Sequence, residues 1–303
     1  MSLSLDVRQP LAGSLRRLLS REFEQSLRRL DQTCQGKPRD CVEGVHEFRR
    51  SVKRLRATIA LMGDGVSIRE CRAMDRALSE AARRLGSLRD AHARRIAAER
   101  VAMLLPRQLR ALAMDAWRMS GGSVSEAAAG LSVQGIQELV EASRREMEAI
   151  RDRAMALDFR EVDAKVVANA VVKAWGRARN RYQSSWKGRD EAWLHGVRKR
   201  TQRVANVLVM VQSWGGAWVK NSERRLRLAA GALGEARDAK LMLDRIPEQI
   251  AGSPLYEVVH TLRIAANRHY AARLRAAQRE GLRALKQGRS ACKKQLVGGA
   301  AKD

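Results

Sequence analysis

Two stretches of this chain copy each other at a fixed separation, and that constrains the fold more than any other feature. VHEFRRSVKRLR, from Val45, lines up with LHGVRKRTQRVA, from Leu194, at a shift of 149 residues. Further on, LGSLRDAH from Leu85 lines up with LGEARDAK from Leu233 at a shift of 148. Two separate matches at nearly one shift describe one unit present twice. A unit of this length is a duplicated bundle and not the short repeat of a solenoid.

The unit reads as helical. Val45, Phe48, Val52, Leu55 and Ile59 recur at steps of three and four residues, the spacing of one helix face. Residues 11–30, 42–62, 67–88, 91–117, 134–156, 161–184, 190–213, 217–233, 239–250 and 254–286 all suit helices, separated by Gly and Pro. A helix unbroken from 67 to 103 would overshoot its neighbours, so a break is expected near Arg89–Asp90, with Asp90 and Asp238 as N-caps of the helices that follow. The Gly/Ser/Ala-rich stretch 120–132 reads as a mobile loop, and the tail after Gly288 as disordered.

Composition narrows the function. Aromatic residues are 4% of the chain, too few for a β-sandwich or barrel, and 45% hydrophobic content excludes a disordered chain. No apolar run approaches the ~18 residues of a membrane span. The N-terminus, MSLSLDVRQP, has neither the basic leader nor the apolar stretch of a secretory signal. Cys34, Cys41, Cys71 and Cys292 are scattered without a CxxC and read as reduced thiols of a cytoplasmic protein. Lys and Arg outnumber Asp and Glu by 59 to 33, a net charge of +26. Such an excess repels itself in the compact state unless a polyanion neutralises it.

The repeated segment concentrates that charge. With His46 at zero on a helical wheel, Arg49, Arg50, Lys53, Arg54 and Arg56 fill an arc of about 160°, and the apolar residues lie opposite. In the second copy His195, Arg198, Lys199 and Arg203 hold the same positions, while Gln202 and Ala205 replace Lys53 and Arg56. Like charges at these spacings destabilise a helix. Along the sequence only Glu43 and Glu47 are near enough to offset the first stripe. Two helices with apolar backs and crowded cationic fronts point to an anion site, where arginine grips phosphate oxygens bidentately and lysine acts as a point charge.

His46 and His195 sit mid-stripe, where cations favour the neutral imidazole and a bound phosphate favours the charged one. No Ser, Cys or carboxylate pair recurs beside both, and no HExxH or clustered ligand spacing is present, so neither catalysis nor a metal or other cofactor is expected. The LGxxRD pair reads as structural, with Arg89 and Arg237 as alternative anion contacts. Arg177 and Arg181, four residues apart, are further candidates.

The signature HxxRxxxKRLR from His46 to Arg56, its degenerate copy from His195, and LGxxRD in both halves resemble the CHAD domain, the conserved histidine α-helical domain. The resemblance spans residues 8–285. It implies an all-α fold, a helical bundle of two pseudo-symmetric halves of about four helices each, at 8–156 and 157–287, with the basic tail 288–303 beyond. It also implies binding of inorganic polyphosphate through the histidines and basic residues of the stripes, without catalysis. Targeting to polyphosphate granules follows, with a polyphosphate-metabolising enzyme or another granule protein as a further partner. The acidic β-barrel pattern of the triphosphate-tunnel domain that some members carry is missing here. Two other readings stay open: a helical nucleic-acid-binding protein, and a phosphohydrolase or phosphotransferase. Against the first stand the few aromatics and the missing recognition motifs, and against the second the missing acidic metal cluster or activated nucleophile.

Overall fold

The computed structural model describes residues 5, 10–35, 38–118, 133–244 and 256–300, with side chains apart from those of 34, 35, 38–42, 87–94, 116, 133, 299 and 300. Among the described residues there are eleven α-helices and no strand. They are α1 (Leu11–Gln35), α2 (Pro38–Leu61), α3 (Ile68–Arg84), α4 (Gly86–Ala102), α5 (Arg110–Trp117), α6 (Val133–Met155), α7 (Ala164–Gln183), α8 (Glu191–Met210), α9 (Gln212–Leu243), α10 (Tyr256–Ala284) and α11 (Arg289–Ala300). Helix starts follow local chemistry. Ser67, Asp163 and Asp190 each accept a hydrogen bond from the backbone N–H three residues on, at 3.3, 2.7 and 2.7 Å. Each such cap stabilises its helix by about 1 kcal/mol.

The duplication becomes two four-helix bundles. α1, α2, α3 and α6 pack together in the first half, and α7, α8, α9 and α10 in the second. The stripe helices meet at the junction, where α2 packs against α8 and α7. The apolar back of α2 is sealed: Val45, Phe48, Val52 and Leu55 are at most 1% exposed. Val197, Val204 and Leu208 do the same on α8. At roughly 2 kcal/mol for each side chain removed from water, this burial fixes which way both helices face. One apolar core runs through both halves, and a smaller one joins α4 and α5 to α9 and α10 around Val101, Trp117, Met242 and Leu262.

Three expectations change. The first LGxxRD motif does sit at a helix break, but at Leu85, so Asp90 lies inside α4 and not at its N-cap. The second sits within α9, which runs through Asp238 unbroken and bends instead at Gly216, whose φ of 56° suits a residue without a Cβ. Asp238 is therefore no cap either. The tail expected to be disordered forms α11, because Cys292 and Leu296 one turn apart bury completely against the core. The stretch 120–132 lies outside the described residues.

One carboxylate ties the two halves together. Asp75 on α3 accepts from Nε and Nη2 of Arg56, each at 2.9 Å, and from Arg203 of α8 at 2.8 Å. Burial alone would raise the Asp75 carboxyl, but the hydrogen bonds and charges of Arg56 and Arg203 hold it below the ordinary value. Its contribution to stability is thus present above the unfolded carboxylate range and is lost only as pH falls through the lower folded value. Asp75→Asn leaves two arginines facing each other without a counter-charge. It should cost about 2 kcal/mol, read as a lower urea midpoint at unchanged slope. A wild-type midpoint in this variant would show that the tie contributes nothing.

Candidate functional site

Burying the backs of α2 and α8 against a common core brings their cationic fronts side by side. Asn206 on α8 donates to the Lys53 carbonyl of α2 at 3.4 Å, and the Thr58 hydroxyl meets the Met210 sulfur at 3.6 Å. His46, Arg50 and Lys199 are exposed, while Arg49, Lys53, His195 and Arg198 are half-buried.

The LGxxRD motifs pack against the stripes. Arg49 donates to the Ala82 carbonyl near the end of α3 at 2.6 Å, and its guanidinium lies 3.4 Å from where a Cβ of Gly86 would stand. In the second half Arg198 comes within 2.9 Å of the corresponding position at Gly234. Each motif glycine makes room for the stripe arginine of its own half. The same turn of α9 brings Arg237 forward. His195, Arg198, Arg237, Lys240 and Tyr270, with Glu191, line a shallow open recess. Lys240 and Tyr270 escape a sequence reading, although Lys240 follows Arg237 by one helical step of three residues.

His195 reports the field of this recess. Desolvation, reinforced by the charges of Lys199, Arg237, Arg198 and Lys53, pushes its imidazole down to about 4. One of those cations, Lys53, comes from the other half. His195 Nδ1 is buried and makes no hydrogen bond among the described residues. A neutral imidazole surrounded by four cations takes up a proton when an anion arrives.

Other stripe residues are turned inward. Arg54 reaches α1, where it donates to the fully buried Glu22 at 2.7 Å and to Gln25 at 3.3 Å, and it also donates to Ser51 of its own helix at 3.1 Å. Burial holds the Glu22 carboxyl above its usual range against the pull of Arg54. Arg56 and Arg203 are engaged by Asp75. The compensating carboxylates thus come from α1 and α3, helices distant in sequence, and not only from Glu43 and Glu47. Arg50 pairs with Glu47 at 2.8 Å but stays more than half exposed. Among the described residues Lys199 and Arg237 make no ion pair.

The family model of the CHAD domain matches the chain in two overlapping segments, residues 17–204 and 170–296. The chain belongs to the CHAD family. The fold is similar to that of the CHAD domain from the plant Ricinus communis, with 19% identity over 94% of each chain and a TM-score of 0.56. PptA from Streptomyces chartreusis matches at 17% identity over 89% of this chain and 98% of its own, with a TM-score of 0.48. No curated protein sequence matches.

In this CHAD protein the sequence-derived candidates fall into three groups. Lys53, Arg198, Lys199 and Arg237 gather around His195 where α2 meets α8, while His46, Arg49 and Arg50 lie further along α2, Arg49 against the end of α3 and Arg50 beside Glu47. Arg54, Arg56 and Arg203 tie that junction to α1 and α3. Arg177 and Arg181 lie on α7, against the flank of α8 that carries Arg200. Arg89 lies on α4, and its side chain is outside the described residues. Among the described residues no group of His, Cys, Asp and Glu is placed to hold a metal ion, and no helix is long and apolar enough to cross a membrane.

The lowered His195 fixes a sign for stability. Between its unfolded value and about 4, the unfolded chain binds a proton that the folded chain refuses. The contribution is fully present above the unfolded value and is lost as pH falls toward about 4. His195→Gln should flatten part of the loss of stability between pH ~6.5 and ~4, measured by urea unfolding at several pH values. Parallel pH profiles for the two proteins would contradict the placement of His195 in a cationic recess.

Proposed function

We propose that this protein is a non-enzymatic binding module for inorganic polyphosphate, held at the α2–α8 junction. One observation carries the reading: two cationic stripes from the duplicated halves converge, and the carboxylates that compensate them sit at the margins. Glu22 and Asp75 neutralise Arg54, Arg56 and Arg203, whereas His195, Arg198 and Arg237 face a recess whose described lining holds one acid, Glu191. A chain of phosphates with about one charge each fits such a surface, and its capture releases counterions as DNA binding does. Membership of the CHAD family supports the same ligand. Localisation to polyphosphate granules in the cytoplasm, beside a polyphosphate-metabolising enzyme or another granule protein, follows from this reading.

Binding strength should depend on these positions and not on the total charge. Arg50→Gln with Lys53→Gln should weaken polyphosphate binding roughly tenfold or more and make the salt dependence less steep by about two. Replacing Lys293 and Lys294, exposed on α11, should change affinity less than twofold by roughly the same measure. Equal losses from the two pairs would overturn the junction as the site. Affinity should also rise as pH falls from ~7 toward ~5, because the anion draws a proton onto His195 while internal phosphates keep their charge. His195→Gln should abolish that rise.

Gly234→Ala separates the site from the fold. The added methyl enters the space of the Arg198 guanidinium, a flexible group that can move away. Helix propensity favours alanine by ~1 kcal/mol. Thermal stability should hold or increase while polyphosphate affinity falls several-fold. Unchanged binding would remove Arg198 from the contact surface.

A further inference from the structure

A second cationic surface lies around the other flank of α8. With His195 at zero on the helical wheel, Lys199 stands at about 40°, Arg203 at about 80° and Arg200 at about 140°, so the charge of α8 runs on past the margin of the stripe. At the 149-residue shift Arg200 falls on Ser51, so the first half has no equivalent cation. Arg200 faces α7, where Arg177 and Arg181 stand on consecutive turns. Burial and the charges of Arg181 and Arg177 pull the Arg200 guanidinium below its usual range, and Arg177 acts likewise on Arg203. Among the described residues no carboxylate pairs with Arg177, Arg181 or Arg200. Asp75, the counter-charge of Arg203, is already shared with Arg56.

This surface has a rigid base. The Arg181 and Arg189 guanidiniums sit 5.6 and 5.2 Å from the ring centroid of Trp193. Trp193 packs edge-on against Trp186 at 5.7 Å, and Trp186 against Tyr182 at 5.3 Å. Tyr182 is anchored by a buried hydrogen bond of 3.0 Å with the Thr201 hydroxyl. A guanidinium stacked on an indole keeps its N–H edge for oxygen acceptors and loses less freedom when it binds one.

We propose that Arg177, Arg181, Arg189 and Arg200, set around Trp193, form a second lane for the polyanion of the α2–α8 junction, reached across Arg203. The proposal rests on the polyphosphate reading above. A helix is ~10–12 Å across, so a flexible phosphate chain can turn around α8 and hold both surfaces at once. A triphosphate engages one surface only. The second contact is then intramolecular, and linked contacts raise avidity by large factors where geometry permits. The lane favours a chain without bases. Trp193 already carries two guanidiniums, and Tyr182 is buried, which leaves little open aromatic surface for base stacking.

The test is a titration of the full chain with tripolyphosphate, with long-chain polyphosphate and with single-stranded DNA of matched charge, over a range of salt. Arg177→Gln with Arg200→Gln should weaken long-chain binding on the order of tenfold and make its salt dependence less steep by about two, with tripolyphosphate binding nearly unchanged. The pair removes like charges from a crowded surface, so thermal stability should hold or increase. Arg189→Gln, on the exposed connection before α8, should make the salt dependence less steep by about one at the cost of one stacking contact with Trp193. Wild-type affinity and salt dependence in both variants overturn the lane while the junction stands. A loss confined to DNA assigns the surface to nucleic acid and overturns the lane as well. Failure of the wild type to bind any polyphosphate overturns both this inference and the reading on which it rests.

Discussion

The structure turns on Asp75. Two helices with crowded cationic fronts can share a core only if their fronts are held apart or compensated where they approach most closely. A single carboxylate on α3 does this, by taking a bidentate contact from Arg56 of the first half and a further contact from Arg203 of the second. In return Arg56 and Arg203 hold its carboxyl below the ordinary value and favour its charged form. The tie sits on one side of the α2–α8 junction. On the other side the stripes open toward His195 and Arg237, where compensation is sparse. The same packing therefore makes the joint and the site, and what separates them is which side of each helix meets an acid.

The halves have diverged around that joint in a connected way. At the 149-residue shift Glu22, the buried partner of Arg54, falls on Val171, which is buried in the core. Arg203, the counterpart of Arg54, has lost its own acid and crosses to Asp75 instead. Arg56 falls on Ala205, which is buried, so the second half has no counterpart of Arg56 and joins the tie through Arg203 instead. The second half thus gives up an internal ion pair and binds to the first through a shared one. Such an exchange keeps two duplicated bundles from behaving as independent units, because removing Arg203 leaves the acid of the other half less well compensated.

Much of this was legible in the sequence because it follows from period. The shift of the repeat, the apolar backs and the cationic fronts are readable from spacing, and α2 and α8 lie where the spacing puts them. The convergence of the stripes also follows, since two apolar backs must share a core. Counter-charges were not legible. Glu22 and Asp75 look like ordinary residues of amphipathic helices, and only the packing of α1 and α3 brings them to Arg54 and Arg56. The LGxxRD motif misled for a related reason. Helix length placed a break at its Arg-Asp pair, yet α9 runs through the motif, whose glycine is a notch that admits the Arg198 guanidinium. The tail misled because Cys292 and Leu296 are too few to mark an amphipathic helix, although four residues apart they suffice to seal one against α7 and α9.

The uneven compensation explains how a chain of net charge +26 stays compact. Repulsion between exposed cations is weak in water and weaker in salt, so most of the surplus costs little where it lies. The cost concentrates where cations are half-buried together, as around His195, whose imidazole remains neutral down to about 4. There the fold sets four cations around a half-buried imidazole in a recess lined by one acid, Glu191, and the neutral form of the histidine keeps a further charge out. An anion reverses every term at once: it compensates the four cations, raises the histidine and gains from their prior desolvation. A site that is costly empty and stabilising when filled is one that the remainder of the fold must hold open, and the sealed backs of α2 and α8, with Asp75 between them, supply the rigidity to do so.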